Sequence, residues 1–247
     1  LCSEITLPTG IDREGNERTA VCCLSSLNIE KYDEWKDDKN FVEDVMRFLD
    51  NVLTDFVNRA PDSFANAKYS ATRERSVGLG VMGLHSYFQQ KNIPFGSVMS
   101  KVWNKKIFSN IQQKVDKASK NLATERGACP DAEEFGIKER FSNKTAIAPT
   151  ASISIICGGA SPGIEPIAAN SYTHKTLSGS YNVRNKYLAK ILEKHGKNTD
   201  EVWSSITTNQ GSISHLNFLT KKEKEVFKTA FEIDQRWIVE LGADRTP

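Results

Sequence analysis

The chain opens on Leu1-Cys2-Ser3-Glu4, which places a thiol and a carboxylate two positions apart. In an extended backbone, side chains two positions apart point to the same side. Cys2 and Glu4 could therefore reach the same small substrate. A Cys-x-Glu pattern occurs by chance in many chains, so its interpretation depends on the motifs that follow it.

Further motifs follow in order along the chain. They are Pro8-Thr9, then Ala20-Val21-Cys22-Cys23-Leu24-Ser25, then Ala148-Pro149-Thr150-Ala151-Ser152-Ile153-Ser154. With Cys2 and Glu4, these motifs resemble the catalytic (large) subunit of class I ribonucleotide reductase, especially the form found in bacteria and their large phages. The resemblance runs from Cys2 to Pro247 and implies an oxidoreductase.

The resemblance implies a radical mechanism for removing the ribose 2′-hydroxyl, because hydroxide is a poor leaving group from an unactivated carbon. Cys2 would carry a thiyl radical that takes the 3′-hydrogen, since an S–H bond is close in strength to the C–H bond that is broken. Glu4 would be the general base that accepts the 3′-hydroxyl proton. The resemblance also implies substrate contacts at Leu1, Cys2 and Glu4.

The family also needs two thiols that deliver the reducing equivalents and end as a disulfide. Alignment to the family pattern A-x-C-x-L-S gives Cys22 this role and makes Cys23 a packing residue on the opposite strand face. A vicinal Cys22–Cys23 disulfide is an alternative, but it is strained. The partner thiol should come from a preceding half-barrel, because Cys129, expected to be exposed, and Cys157, expected to be structural, match no family position.

The segment from Pro149 to Ser154 resembles the family's substrate diphosphate loop. Small residues let backbone N–H groups approach phosphate oxygens, and Ser and Thr hydroxyls add donors. The predicted contacts are Thr150, Ala151, Ser152 and Ile153, with Ser154 as a further candidate. Without the other motifs, the same segment is typical of an ordinary capped turn. Gly163-Ile164-Glu165-Pro166 matches another family signature and is given a supporting role.

Composition limits the function classes. The chain has 247 residues, 38% hydrophobic and 26% charged, with a net charge of +2. A near-neutral chain does not indicate electrostatic binding of DNA or of a membrane surface. No apolar run is long enough to span a bilayer, and no secretory signal is present. The five cysteines lack a spaced pairing pattern, which fits a cytoplasmic protein, and the four scattered histidines do not predict a metal site.

The resemblance also implies partners and cofactors. No cofactor would bind directly to this chain, and the radical would come from a di-iron/tyrosyl small subunit. ATP and dNTP effectors would bind regions that this chain lacks. The expected partners are the N-terminal remainder of the large subunit, the radical-generating small subunit, thioredoxin or glutaredoxin, and a ribonucleoside diphosphate substrate. Because both ends look cut, we expect a piece of a longer polypeptide or one half of a split protein.

Hydrophobic periodicity predicts the elements that position these motifs. Helices are expected over Asp37–Arg59, Ser97–Glu125, Tyr187–Glu193 and Asp200–Ile206, with a final helix from a capping box at Thr220 to about Leu241. Buried strands are expected over Thr19–Leu24 and Thr145–Ala148. Thr9–Arg18 is expected to be a polar loop, and Pro149–Asn170 shows little helical period.

Strands that alternate with helices favour an α/β fold with a mainly parallel sheet in one domain. The resemblance sharpens this to the second half of a ten-stranded α/β barrel with a central finger loop, residues 1–18 forming the finger and residues 19–247 the half-barrel. The Gly78-Leu79-Gly80 stretch does not match a dinucleotide fingerprint, because its third glycine is at the wrong interval. Close backbone packing is the better interpretation.

Three alternatives remain open at this point. A cobalamin-dependent reductase would share the thiyl chemistry. A non-catalytic remnant or docking half of a split reductase would fold without turning over, although the presence of Cys2, Glu4 and Cys22 argues against decay. A cysteine hydrolase would need a histidine beside Cys2, and none is near it in sequence.

Overall fold

The structure is a computed structural model that describes residues 4–177 and 179–246. Within these residues the chain forms two compact units. Unit 1 contains residues 4–27, 32–81 and 108–149, and unit 2 contains residues 28–31, 82–107 and the described residues from 150 onward. The predicted site residues Leu1 and Cys2 lie outside the described residues.

The strands of the described residues form three sheets of two strands each. They are β1 (Gly10–Ile11), β2 (Glu17–Arg18), β3 (Leu24–Asn28), β4 (Gly78–Met82), β5 (Ser171–Thr176) and β6 (Gly179–Arg184). The pairs β1–β2 and β5–β6 are antiparallel and are closed by short turns, which parallel strands do not allow. The continuous, mainly parallel sheet predicted from the sequence is therefore not formed by the described residues.

The helices account for most of the regular structure. They are α1 (Tyr32–Trp35), α2 (Phe41–Arg59), α3 (Ala65–Glu74), α4 (Leu84–Gln90), α5 (Val98–Arg126), α6 (Pro130–Glu133), α7 (Ala151–Ile156), α8 (Lys186–Lys194), α9 (Asp200–Thr208), α10 (Lys221–Val226) and α11 (Arg236–Arg245). Single 3-10 turns occur at Ile29–Lys31 and Asp62–Phe64. The predicted helices that correspond to α5, α8 and α9 are confirmed within two residues at each end.

Helix α5 shows why periodicity predicts long helices well. Apolar residues recur in it at spacings of three and four, and five of them, Ile107, Ile111, Val115, Ala118 and Leu122, are between 0% and 4% exposed. The helix ends where Gly127 adopts φ 88°, and its N–H donates to the Ala123 carbonyl at 3.1 Å. A left-handed residue at this position favours glycine, as the sequence predicted.

Helix α2 is correctly predicted as a helix, but its buried face matches the predicted one only at Leu49 and Leu53. The spacing of apolar residues predicts a face of Phe41, Val45, Phe48, Leu49, Val52, Leu53 and Phe56. The buried side chains are Val42, Met46, Leu49, Asp50 and Leu53. Phe48 and Val52, predicted to be buried, are 62% and 41% exposed. The face is rotated because Asp50 turns inward to arginines from other parts of unit 1, a contact that hydrophobicity alone cannot predict.

The close packing predicted at Gly78 and Gly80 is confirmed in strand β4. A Cβ atom on Gly80 would lie 2.1 Å from the Ala146 carbonyl oxygen, and one on Gly78 would lie 2.7 Å from the Ala146 Cβ. The predicted strand at Thr145–Ala148 is reduced to one parallel bridge between Thr145 and Leu79. Only glycine lets these two backbones approach so closely.

Two other predicted elements are wrong in detail. The strand expected at Thr19–Leu24 begins only at Leu24, and Thr19, Ala20 and Cys22 are exposed, not buried on both faces. The loop expected at Thr9–Arg18 contains the β1–β2 hairpin, because Asp12 accepts the backbone N–H groups of Glu14 and Asn16 and closes a tight turn.

The C-terminal helix predicted from Thr220 to Leu241 is two helices, α10 and α11. The capping box is confirmed, since Thr220 Oγ1 accepts the Glu223 N–H at 3.2 Å and Glu223 Oε2 accepts the Thr220 N–H at 2.8 Å. Helix α10 stops at Val226 because the following turn makes contacts outside the helix, including a hydrogen bond from the Ala230 N–H to the Ile167 carbonyl at 2.8 Å. In the sequence, the helical spacing of apolar residues continues across this break.

Unit 2 has its own apolar core around α8 and α9. Its buried members include Leu188, Leu192, Trp203, Ile206 and Phe227. No helix of the described residues is long and apolar enough to cross a membrane.

Candidate active site

Glu4 is the first residue of the predicted site that the structure describes, and it is half-buried in unit 1. Two residues later, the Thr6 carbonyl accepts a hydrogen bond from Asn143 Nδ2 at 3.5 Å. The same amide nitrogen donates to Ser76 Oγ at 3.2 Å. Asn143 therefore connects the segment that carries Glu4 to the residues just before β4. No pattern in the sequence indicates a role for Asn143, because a single asparagine is common in loops.

Cys22 and Cys23 lie immediately before strand β3 and have different surroundings. Cys22 is exposed, whereas Cys23 is half-buried with its Sγ atom 3.9 Å from the Leu49 carbonyl oxygen. Burial, together with the neighbouring Cys22, raises the pKa of the Cys23 thiol. The packing role predicted for Cys23 agrees with these contacts, and the redox role of Cys22 stays a prediction.

In unit 1, the carboxylate of Asp50 is completely buried and is held by three arginines. Asp50 Oδ1 accepts Arg75 Nε at 2.7 Å and Arg140 Nε at 2.9 Å. Asp50 Oδ2 accepts Arg126 NH1 at 2.8 Å. Burial alone would raise the pKa of Asp50, but the hydrogen bonds from Arg140 and Arg126 outweigh it and hold that pKa below its usual range.

A second buried carboxylate, Glu74, is less well satisfied. It is 2% exposed, and its Oε1 atom accepts no hydrogen bond within the described residues. The closest cationic nitrogen is Arg18 NH1 at 3.8 Å, and Arg18 also forms an ion pair with Asp131. Burial raises the pKa of Glu74 to about 7, although Ser76 donates a hydrogen bond to the other oxygen at 3.2 Å.

The Glu74→Gln variant is expected to be more stable than the parent at pH 8 but not at pH 5. The pKa of Glu74 rises from 4.5 to about 7 on folding, so the folded state binds more protons within that window and the parent loses stability as the pH rises through it. The Glu74→Gln variant avoids this loss, which for the parent at pH 8 is about 3 kcal/mol of folding free energy. Urea unfolding at both pH values, with exposed Glu133→Gln as the control, measures the difference. An equal change in stability at both pH values would contradict the raised pKa of Glu74.

The predicted phosphate loop lies in unit 2 and forms the start of helix α7, where no helix was predicted. Thr150 precedes the helix with φ 56° and is 8% exposed. Its Oγ1 atom accepts the Gly163 N–H at 2.7 Å. The Thr150 side chain is therefore engaged in holding Gly163 in this structure, a use of the hydroxyl that the sequence did not predict.

The next three residues have the geometry that the loop hypothesis requires. Ala151, Ser152 and Ile153 are exposed, and their N–H groups belong to the first turn of α7, where an α-helix offers no intrahelical acceptor. Ser154 differs, because it is 2% exposed, its N–H donates to the Thr150 carbonyl, and its hydroxyl donates to the Ala151 carbonyl at 3.2 Å. Ser154 thus contributes to the turn itself.

The signature Gly163-Ile164-Glu165-Pro166 lies beside this turn through the Gly163–Thr150 hydrogen bond. Burial raises the pKa of the Glu165 carboxyl. The supporting role expected for this segment agrees with the contact that Gly163 makes.

The exposure of the two remaining cysteines is the opposite of that expected from the sequence. Cys129, expected to be exposed, is 0% exposed, and burial raises the pKa of its thiol. Cys157, expected to be structural, is exposed after α7. The Cys129 carbonyl accepts the Ala132 and Glu133 N–H groups at 3.0 Å at the start of the short helix α6. Cys157 follows three isoleucines, Ile153, Ile155 and Ile156, which are themselves exposed.

The predicted site residues fall in both units. Glu4 and Cys22 belong to unit 1, and Thr150, Ala151, Ser152 and Ile153 belong to unit 2. Within the described part of the chain, no group of three or more His, Cys, Asp or Glu side chains is arranged to hold a metal ion.

Comparison with known proteins gives a consistent result. The family model described as "Ribonucleotide reductase, barrel domain" matches residues 1–139 and 131–247. The ribonucleoside-diphosphate reductase large subunit of Invertebrate iridescent virus 6 is 50% identical over 99% of this chain and 25% of its own length. The corresponding subunit of Invertebrate iridescent virus 3 is 45% identical over 99% of this chain and 38% of its own length.

A solved structure supports the same family. The class Id ribonucleotide reductase alpha subunit of Actinobacillus ureae superposes with a TM-score of 0.84 and 40% identity, covering 92% of this chain and 42% of that chain. This chain belongs to the ribonucleotide reductase barrel-domain family, which confirms the family resemblance seen in the motifs and the α/β fold class. It spans between about a quarter and two fifths of the length of these relatives.

Proposed function

We propose that this chain is part of the catalytic subunit of a ribonucleoside-diphosphate reductase. The complete enzyme would reduce ribonucleoside diphosphates to deoxyribonucleoside diphosphates by thiyl-radical chemistry and supply DNA precursors. The match of the barrel-domain family to residues 1–139 and 131–247 carries the proposal. The presence of Cys2, Glu4 and Cys22 in the expected order supports catalytic competence over a non-catalytic remnant.

In this proposal each chemical step uses a group of the chain. The Cys2 thiyl radical takes the 3′-hydrogen atom and becomes a thiol, leaving a substrate radical. Glu4 accepts the 3′-hydroxyl proton, and the 2′-oxygen leaves as water. Cys22 and a second thiol from another part of the subunit supply two electrons and two protons and end as a disulfide. The Cys2 thiol then returns the hydrogen atom to the 3′-carbon, which restores the thiyl radical. The exposure of Cys22 agrees with this role, because such a disulfide must be accessible to the reductant that restores it.

The first turn of α7 would bind the substrate diphosphate. The exposed N–H groups of Ala151, Ser152 and Ile153 can donate to phosphate oxygens, and the Ser152 hydroxyl adds a donor. The Thr150 side chain would act by holding the turn through Gly163, with its backbone next to the phosphate. Leu1, Cys2 and Glu4 would contact the ribose end of the substrate.

The finer architecture is also part of the proposal. The chain would form the finger loop, residues 1–18, and most of the second half of a ten-stranded α/β barrel, residues 19–247. The N-terminal remainder of the large subunit would complete the barrel, and a di-iron/tyrosyl small subunit would supply the radical. Effector nucleotides would bind other regions of the subunit, thioredoxin or glutaredoxin would be the reductant, and the enzyme would be cytoplasmic.

The test is turnover of a ribonucleoside diphosphate by the complete large subunit, mixed with a radical-generating small subunit and dithiothreitol. Cys22→Ser is expected to reduce steady-state product formation to background, because serine cannot supply electrons to the substrate by forming a disulfide. Cys23→Ser is the matched control, since Cys23 packs against the Leu49 carbonyl, and it is expected to keep turning over.

Each other outcome has a distinct meaning. If the parent enzyme forms a stable complex but gives no product, the chain is a non-catalytic remnant. If Cys22→Ser turns over at the parent rate, Cys22 is not one of the redox thiols.

A further inference from the structure

The first six residues of helix α4, Leu84 to Gln89, are all buried, and they include three buried polar side chains. His85, Ser86 and Gln89 are 0%, 4% and 4% exposed. Buried polar groups need hydrogen-bond partners, because an unsatisfied one costs free energy. All three find partners in the part of unit 2 that follows the proposed phosphate loop.

Ser86 forms a reciprocal pair with Ser161, which is 1% exposed. The Ser161 N–H donates to Ser86 Oγ at 2.8 Å, and the Ser86 N–H donates to Ser161 Oγ at 3.1 Å. The Gly83 N–H donates to the Ser161 carbonyl at 2.7 Å. Ser161 thereby satisfies N–H groups at the start of α4, and two hydrogen bonds fix its backbone while a third fixes its hydroxyl.

The residues on both sides of Ser161 hold the start of α7. The Ala160 N–H donates to the Ser154 carbonyl at 3.1 Å. The Gly163 N–H donates to Thr150 Oγ1 at 2.7 Å. One short segment is therefore fixed to α4 at Ser161 and to both ends of the first turn of α7.

A second contact with α4 lies farther along the chain, at Ile167. His85 Nδ1 accepts the Ile167 N–H at 3.0 Å, which requires a ring without a proton on that nitrogen. Burial lowers the pKa of His85 to about 4, so the ring is neutral at physiological pH. Gln89 Oε1 accepts Asn185 Nδ2 at 2.9 Å at the far end of the helix.

We propose that the Ser86–Ser161 pair positions the diphosphate-binding turn Thr150–Ile153, which makes Ser86 and Ser161 positioning residues for substrate binding. The inference rests on the proposed function, since it assigns a use to the same turn. Neither serine touches substrate in this proposal. Their hydroxyls fix the segment 160–163, and that segment fixes Thr150 and Ser154.

The expected result is a change in KM with little change in kcat. Without the Ser86 hydroxyl, the buried Ser161 N–H loses its acceptor, and the segment that holds Thr150 shifts to find another. A misplaced turn binds the diphosphate more weakly, and a rise in KM of about tenfold corresponds to the cost of one unsatisfied buried group. The chemistry at the ribose uses residues of unit 1, so kcat is expected to stay within about twofold.

The experiment compares Ser86→Ala, Ser161→Ala and the double variant in the complete enzyme with its small subunit and dithiothreitol. If the two hydroxyls act together through the Ser86–Ser161 pair, the double variant should raise KM about as much as either single variant. Ser100→Ala is the matched control. Its hydroxyl is equally buried in unit 2 but donates to the Phe95 carbonyl at 2.6 Å, away from the turn, so its KM should equal that of the parent.

The outcomes separate this inference from the proposed function. A parent enzyme without turnover contradicts the proposed function before any variant is compared. An active parent with unchanged KM in both single variants overturns the inference alone. The inference is also overturned if Ser100→Ala raises KM equally, or if the single variants lower kcat at unchanged KM. If Ser86→Ala does not yield folded protein, Ser161→Ala against Ser100→Ala decides in the same way.

Discussion

The Cys2→Ala enzyme is expected to form no deoxyribonucleoside diphosphate, while it still binds ribonucleoside diphosphate with nearly the parent affinity. The ribose 3′-carbon is unactivated, and the proposed mechanism breaks its C–H bond only by transfer of the hydrogen atom to sulfur. Alanine removes the sulfur atom but leaves the donors of the turn Thr150–Ile153 in place. Product formation and equilibrium binding of the same substrate, measured together, test both halves of this expectation.

Substitution of Glu4 gives the internal comparison for this prediction. The Glu4→Gln amide cannot accept the 3′-hydroxyl proton, so turnover is expected to fall by about 10²- to 10⁴-fold, the usual contribution of a general base. Transfer of the 3′-hydrogen to Cys2 remains available, so substrate labelled with tritium at that carbon should still release tritium slowly. Release of tritium by Cys2→Ala, or product formation by it, would remove Cys2 from the radical step.

The Asp50→Asn variant is expected to lose about 3–5 kcal/mol of stability, the cost of breaking a buried ion pair and leaving its partners uncompensated. Asp50 is 0% exposed and is the shared acceptor of Arg75, Arg126 and Arg140. Asparagine keeps the size of the side chain but removes its charge. Arg75, which is 7% exposed, would then be a buried cation without its acidic partner.

A matched control is available on the same helix. Asp55 forms an ion pair with Arg59 at 3.6 Å, but these side chains are 64% and 79% exposed. Asp55→Asn is therefore expected to change stability by less than about 1 kcal/mol. Urea unfolding of both variants under identical conditions provides the comparison. Similar losses in the two variants would show that the arginines around Asp50 are compensated by solvent and that the cluster is not a buried network.

The sequence by itself determined the family and the helices α2, α5, α8 and α9. The motifs at Cys2, Cys22 and Thr150 predicted the family because their order along the chain is specific even though each one alone is not. Helix α5 and the capping box at Thr220 were predicted because they depend on residues three and four positions apart, which local periodicity records directly.

Tertiary structure alone decided which polar residues support the candidate site. Helix α2 turns Asp50 inward because arginines distant in sequence neutralise it, and α4 buries Ser86 because Ser161 supplies its partner. Each outcome depends on a group far away in the chain, and the hydrophobic pattern of one segment contains no information about the partner that makes burial of a polar group favourable.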